Sequence, residues 1–303
     1  MKSLKNNVSI VNMSKVRGEI AMNIMITGAS GEYGNYAIDY LKKFVPEANL
    51  FGLVRSEAKG KALKDKGVNV RIGDYTDANS MIDALKGIDR LLFVSVSMLN
   101  IQQNVVQAAQ VNHVKYIAYT SISHPEYSKF GLDEIHKQTE NWIKESGIPH
   151  TFLRNGWYTE LNQALFDYAA ETKRFPYFAT EGKLSFALKR EYAEAGARVI
   201  ANGNYDEVLD LAGEPRTYQQ LALATQEALN TKLDIKEVSA SKFVPMMEST
   251  GISGRWASVS QVYQEYTFKG NNGEEMGNPS NFERVLGHPL TDLPSAIKEL
   301  INK

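Results

Sequence analysis

Asn23-Ile24-Met25-Ile26-Thr27-Gly28-Ala29-Ser30-Gly31-Glu32-Tyr33-Gly34 is the stretch on which the fold of this chain turns. Residues 24–27 form a short apolar run of the kind that makes a buried parallel strand. The run breaks on glycines spaced G-x-x-G-x-x-G and resumes over residues 35–44 with apolar side chains at helical intervals. Glycine accepts positive φ and lets a backbone come close to a ligand. A helix that starts behind such a turn presents free N–H groups and a partial positive charge, both suited to a phosphate. The spacing is a variant of the dinucleotide fingerprint, a signal that needs its surroundings to carry weight.

The surroundings supply it. Outward from the turn, apolar runs at 49–54, 68–72, 90–97, 115–120 and 150–153 alternate with helical patterns at 59–66, 80–86, 101–112 and 133–146. Strands alternating with helices of this length imply an α/β fold, a Rossmann doubly wound parallel sheet. Ligands of such sheets lie at the carboxyl ends of the strands. The candidate cofactor residues are therefore Gly28, Ala29, Ser30, Gly31, Glu32, Tyr33 and Gly34, then Arg55, Asp74, Tyr75, Ser95, Val96, Ser97, Thr120 and Asn155. Asp74 and Tyr75 are equally readable as the cap of the following turn. Arg55 occupies the place after the second strand where an acidic residue would bond a ribose 2′-hydroxyl, with Lys59 a turn further on. A guanidinium there suits a 2′-phosphate by charge and by its fork of donors, which predicts NADP(H) as cofactor.

Past Gly156 the alternation loosens. Helical patterns at 161–172, 189–202 and 218–229, with Thr217 as an N-cap, surround short strands at 208–211 and 235–238. A helical stretch begins at 241–247, residues 270–279 read as a loop, and helices at 280–286 and 293–301 close the chain. The expected organisation is a NADP-binding domain over 22–155 and a smaller C-terminal α/β substrate lobe over 156–303, with the 208–211 strand a candidate to return to the main sheet.

The chain has 303 residues, 43% hydrophobic and 23% charged, a formal net charge of −1 and no cysteine. This composition argues against wholesale disorder and against a general nucleic-acid binder, which needs a basic field. Disulfides, thiolate nucleophiles and Cys-ligated metals are excluded. No apolar run reaches the ~18 residues of a membrane span, so the chain reads as soluble and cytoplasmic. Residues 1–21 stand apart, with Lys2, Lys5, Lys15 and Arg17 against Glu19 alone. The segment lacks a secretory h-region and is expected to be a disordered or non-native leader. Arg17-Gly18-Glu19 can be encoded by a purine run resembling a ribosome-binding site ahead of Met22, which points to Met22 as the native start.

Several stretches together resemble the NmrA-like, atypical branch of the short-chain dehydrogenase superfamily. They are Ile26-Thr27-Gly28-Ala29-Ser30-Gly31, Val54-Arg55, Gly73-Asp74-Tyr75, Tyr116-Ile117-Ala118-Tyr119-Thr120-Ser121, Phe152-Leu153-Arg154-Asn155-Gly156-Trp157-Tyr158, Leu211-Ala212-Gly213 and Leu286-Gly287-His288-Pro289. Within that branch the chain is similar to bacterial NADPH-dependent quinone oxidoreductases, with triphenylmethane dye reductases a near relative. The 154–158 run looks more like the quinone enzymes. The resemblance implies an oxidoreductase; a non-catalytic, NADP(H)-binding redox sensor of the NmrA type is the alternative.

Ordinary members of the superfamily use Tyr-x-x-x-Lys as proton donor. Aligned on Glu140, Leu132 falls on the tyrosine position and His136 on the lysine position, with Lys137 about 100° round the helix. The usual acid is absent, which disfavours alcohol dehydrogenase or epimerase chemistry. Hydride transfer to an electron-poor ring asks mainly for proximity, a stacking surface and a dry pocket. His136 and Tyr158 are the candidate catalytic residues, His136 also as a ribose anchor. Met98, Leu99, Phe130, Trp157, Tyr158 and Phe178 are the candidate substrate residues. The expected partner is one small aromatic acceptor; a homodimer is compatible with the sequence, which fixes no oligomeric state. Five histidines offer no spacing that completes a metal site with Asp or Glu, so no metal is expected.

Overall fold

The computed structural model describes residues 22–98 and 100–302. The leader over 1–21 and the candidate Leu99 lie outside the described residues.

Five strand–helix alternations and a sixth strand build the main sheet. β1 (Ile24–Ile26) leads to α1 (Glu32–Leu41), β2 (Leu50–Val54) to α2 (Glu57–Asp65), β3 (Asn69–Ile72) to α3 (Ala78–Ala84). β4 (Arg90–Phe93) leads to α4 (Gln102–Val111), β5 (Tyr116–Ile122) to α5 (Asp133–Ser146), and β6 (His150–Asn155) follows. The sheet runs in the order β10-β6-β5-β4-β1-β2-β3, with β10 (Val208–Leu211) at one edge. Every pairing in it is parallel: Ile24 is flanked by Leu50 and Arg90, Ile117 pairs with His150, and Val208 with Phe152. This is the Rossmann doubly wound sheet expected from the sequence. Its strand order reverses between β1 and β4, and the crevice at that point is where such folds hold ligands.

β4 is shorter than the apolar run that announced it. From Val94 onward side chains replace the ladder: Val94 N donates to Thr27 Oγ1 at 2.8 Å, Ser95 N to Thr120 Oγ1 at 2.8 Å and Val96 N to Gln102 Oε1 at 3.1 Å. Hydrophobicity continues there, but the backbone has left the sheet to line the crevice.

Residues beyond 156 contribute to two cores. α7 (Lys189–Asn202) packs against α1, and its Tyr192, Val199 and Ile200 join Ile26, Ile38 and Leu153, with Phe282 of α11 (Pro279–Leu286). A second core gathers β7 (Trp157–Tyr158), α6 (Gln163–Thr172), β8 (Arg174–Tyr177), β9 (Leu184–Ala187), α8 (Tyr218–Ala228), β12 (Asp234–Glu237), α9 (Ala240–Glu248), α10 (Gly254–Phe268) and α12 (Leu293–Ile301), with β11 (Pro215–Arg216) paired to β9. Its centre holds Phe166, Phe175, Tyr218 and Phe243. β7, β9 and β11 form a three-stranded sheet, and β8 pairs with β12. Thr217 caps α8, its hydroxyl accepting from Gln220 N while the Gln220 amide oxygen accepts from Thr217 N. Among the described residues no helix is long and apolar enough to cross a membrane.

Candidate functional site

The first wall of the crevice is the glycine turn. Gly28 has φ +58°, a left-handed conformation that glycine adopts without strain. A Cβ on Gly34 would stand 2.5 Å from Gly28 O and 2.7 Å from Ala29 Cα, so only glycine lets α1 start this close to the turn. Gly31 caps α1 and contributes no side-chain hydrogen bond. The first N–H groups of the helix therefore face the crevice without side-chain competition, and Ser30 is exposed beside them. Of the other residues in the turn, Ala29 N is tied to Leu53 O, and Tyr33 points inward, its hydroxyl donating to Tyr192 O at 3.1 Å. Burial holds that phenol far above its ordinary pKa, so Tyr33 contributes its backbone to the crevice and its side chain to the core. Glu32, in the first helical turn, pairs with Lys189 at the start of α7.

Arg55 leaves β2 exposed, at the crevice edge, and makes no hydrogen bond or ion pair among the described residues. Asp74 lies near it. Bonds from Thr76 N and Oγ1 hold the Asp74 carboxyl below its usual range, with a smaller contribution from the Arg55 charge. Asp74 thus caps its own turn. Tyr75 is buried, donating to Val94 O at 3.0 Å and packing edge-on to Phe93.

The exit of β4 forms the floor. Thr120 Oγ1 also donates to Ser95 Oγ at 3.0 Å, so Ser95 and Thr120 are one unit, whereas Val96, Ser97 and Met98 are exposed along the rim. His136 is 6% exposed, and its Nδ1 lies 3.0 Å from Tyr119 Oη. Burial lowers its pKa to about 4, against smaller opposing effects of Glu140 and Asp133. The imidazole is neutral at pH 7 and offers its remaining nitrogen as a hydrogen-bonding group, not a charge. Lys137 turns away to Asp133 and Glu134 at 3.2 and 2.6 Å, as its helical phase requires.

The end of β6 supplies the last wall. Asn155 Nδ2 donates to Tyr158 Oη at 3.1 Å, and Asn155 Oδ1 is buried without a hydrogen-bond partner among the described residues. Tyr158 is pushed up to about 12 by burial. Trp157 sits in an aromatic cluster, edge-on to Phe130 at 5.6 Å and stacked on Tyr266 at 5.5 Å, with Tyr263 at 5.2 Å. Phe178 is not brought to this cluster: it packs on Phe243 and opens on a surface depression with Glu237, Phe268 and Lys269. Behind the wall, Arg154 forks onto both oxygens of Glu140 at 3.1 and 2.9 Å, and Ser121 Oγ donates to Glu140 at 2.7 Å. Among the described residues no group of three or more His, Asp or Glu side chains could hold a metal ion.

Several participants had no signal in the sequence. Thr27, Gln102 and Tyr119 matter because they replace ladder bonds or hold His136. Tyr263 and Tyr266 come from a helix more than a hundred residues after Trp157. Lys189 reaches Glu32 across 157 residues. Such partners share no spacing that a one-dimensional reading could detect.

A family model described as NAD(P)H-binding matches residues 28–180. The chain is 34% identical over 285 residues to quinone oxidoreductase 2 of Escherichia coli, covering 92% of this chain and 99% of that one. The crystal structure of the E. coli NADPH-dependent quinone oxidoreductase complexed with NADPH superposes with a TM-score of 0.81 at 35% identity, over 92% of this chain and 100% of that one. Triphenylmethane reductase of Citrobacter sp., complexed with NADP(H), superposes with a TM-score of 0.82 at 29% identity, again over 92% and 100%.

Proposed function

This chain belongs to the NAD(P)H-binding family, and from that premise we propose that it is an NADPH-dependent oxidoreductase that passes hydride to a quinone or similar electron-poor aromatic ring. The observation that carries the cofactor half is the pairing of an α1 N-terminus free of any side-chain cap, behind Gly28 and Gly34, with an unengaged Arg55 at the end of the adjacent strand β2. A Cβ at Gly34 would collide with the Gly28 carbonyl and push the turn away from α1, so glycine keeps the turn against the helix N-terminus where a diphosphate would sit, and Arg55 meets a 2′-phosphate with charge and two parallel donors. The residues therefore fit NADPH. When bound, NADPH supplies the hydride. The protein's part is placement. His136, neutral and oriented by Tyr119, bonds a ribose hydroxyl or an acceptor oxygen. Tyr158, whose oxygen already accepts from Asn155, keeps its own proton free for the acceptor. Phe130 and Trp157, packed edge to face, give an apolar flank that excludes water. Ser95, Thr120 and the rim residues Val96, Ser97 and Met98 face the cofactor and acceptor. The second core serves as the acceptor-side lobe, and the cytoplasm, where NADPH is kept reduced, is the setting.

By their names the relatives act on quinones and on triphenylmethane compounds, which favours turnover over a purely sensing role. Loss of NADPH absorbance on adding members of a panel of quinones and triphenylmethane dyes is the expected result. Saturable NADPH binding with no oxidation by any acceptor would overturn the reductase reading and leave the sensor.

A further inference from the structure

Lys189 stands where the cofactor wall and the acceptor wall of the crevice meet. α7 leads into β10, which runs parallel to the rest of the main sheet. α7 therefore runs against the strands and begins at their carboxyl ends, as α1 does. The two helices lie side by side, tied by the Tyr33 hydroxyl donating to Tyr192 O at 3.1 Å. Lys189 is the first residue of α7 and Glu32 the first of α1. The Lys189 ammonium meets the Glu32 carboxylate and stands 5.8 Å from the centre of the Tyr158 ring. The Lys189 side chain is 19% exposed, so most of its stem is buried, whereas that of Glu32 is 48% exposed. Glu160 fixes the base of the stem: both its carboxylate oxygens accept from Lys189 N at 3.0 Å. The next residue, Arg190, is committed elsewhere, donating to Glu299 of α12 and to Thr291.

Glu32 is an unexpected residue on an anion-binding turn. The first N–H groups of α1, those of Glu32, Tyr33 and Gly34, have no acceptor within the helix, and a diphosphate at the turn would take them. A carboxylate on the first helical residue answers the same partial positive charge in the empty protein, and it repels a second anion brought there. We propose that Lys189 is a positioning residue for the dinucleotide, its ammonium held by Glu32 in the empty protein and shared with the diphosphate in the loaded one. This rests on the dinucleotide half of the reading above. The ammonium carries rotatable donors on a flexible stem, so it turns between two anions while Glu160 keeps the Lys189 backbone in place. Lys189 therefore strengthens binding, and Glu32 weakens it by repelling the ligand and by holding the same ammonium. The two free-standing charges of the crevice then have separate tasks. Arg55, at the end of β2, selects for the 2′-phosphate, whereas Lys189 serves any dinucleotide, phosphorylated on the ribose or not.

The test is calorimetric titration of the full chain with NADP, NAD and ADP-ribose, the last lacking both the nicotinamide and the 2′-phosphate. Lys189→Met keeps an apolar stem and removes the charge; it should weaken all three ligands about tenfold, while Lys189→Arg binds them within about twofold of the parent. Glu32→Gln should tighten all three by about threefold or more, a gain that a damaged fold cannot imitate. Equal dissociation constants in Lys189→Met and the parent overturn the proposal. A loss confined to NADP would put Lys189 at the 2′-phosphate, and a loss that spares ADP-ribose would put it at the nicotinamide end; either result overturns the diphosphate assignment. Unchanged or weaker binding in Glu32→Gln overturns it as well. Failure of the unaltered protein to bind NADP at all overturns the dinucleotide reading, and this proposal with it.

Discussion

At the scale of single residues, Arg55 and Arg154 show how the same side chain does opposite things. Arg55 is exposed and unengaged, so its charge is available to a ligand. Exchanging it for Asp in Arg55→Asp removes a charge-assisted fork to a 2′-phosphate and adds repulsion. The preference for NADPH over NADH, measured as a ratio of dissociation constants, should fall by about 10–100-fold. An unchanged ratio would cancel the assignment of Arg55. Arg154 is committed to Glu140, which is 3% exposed, and reaches Glu126 at 3.0 Å. Arg154→Met leaves a buried carboxylate uncompensated and should cost about 3 kcal/mol of unfolding free energy, most of it recovered in Arg154→Met/Glu140→Gln. Denaturant titration of the two variants decides this: equal losses would mean that packing, not charge, matters there. The sequence could place both arginines after strands, but not tell a free guanidinium from a paired one, since Glu140 is contributed by a different element.

At the scale of elements, the glycine turn and α1 depend on one close approach. Gly34→Ala pushes a methyl against Gly28 O and forces the turn to move. The expected cost is about 1–3 kcal/mol in stability, with NADPH affinity weakened at least as much as by any rim substitution. Calorimetric titration giving the parent's dissociation constant would show that the turn does not carry the cofactor. This element was fully legible, because strand, turn and helix are contiguous and their periodicities change at the glycines. β8, β9 and α10 were not. β8 and β9 are four-residue strands within an apolar, proline- and glycine-interrupted stretch, too short for alternation to show. The apolar side chains of α10, among them Ala257, Tyr263 and Tyr266, are interspersed with buried Ser260, Gln264 and Thr267, which blurs the helical stripe.

At the scale of the whole molecule, two buried titrating groups oppose each other. Glu274 has an ordinary value of 4.5 and a folded value of about 7. Between these the folded protein keeps a proton that the unfolded chain has lost, so this group's contribution is present at low pH and disappears as pH rises through the window. His136 has an ordinary value of 6.5 and a folded value of about 4. Its contribution is present at higher pH and is lost as pH falls from about 6.5 toward 4. The parent's stability should therefore vary little between about pH 5 and 7, while Glu274→Gln becomes steadily more stable as pH rises through that range. Urea midpoints at several pH values test this; a flat profile in the variant would mean that His136 ionises normally in the fold, and a parent profile that rises like the variant's would mean that Glu274 does. What the sequence determined by itself was what is local or periodic. The doubly wound parallel sheet, the dinucleotide turn, the cation after β2 and the missing Tyr-x-x-x-Lys all lie within runs of contiguous residues. The tertiary structure alone decided which side chains meet: Glu32 with Lys189, Tyr119 with His136, Trp157 with Tyr266, and Glu274 with Ser185. The physical reason is that backbone pattern is set by neighbours along the chain. A buried side chain's partner and its proton affinity are set instead by whatever element folding packs against it.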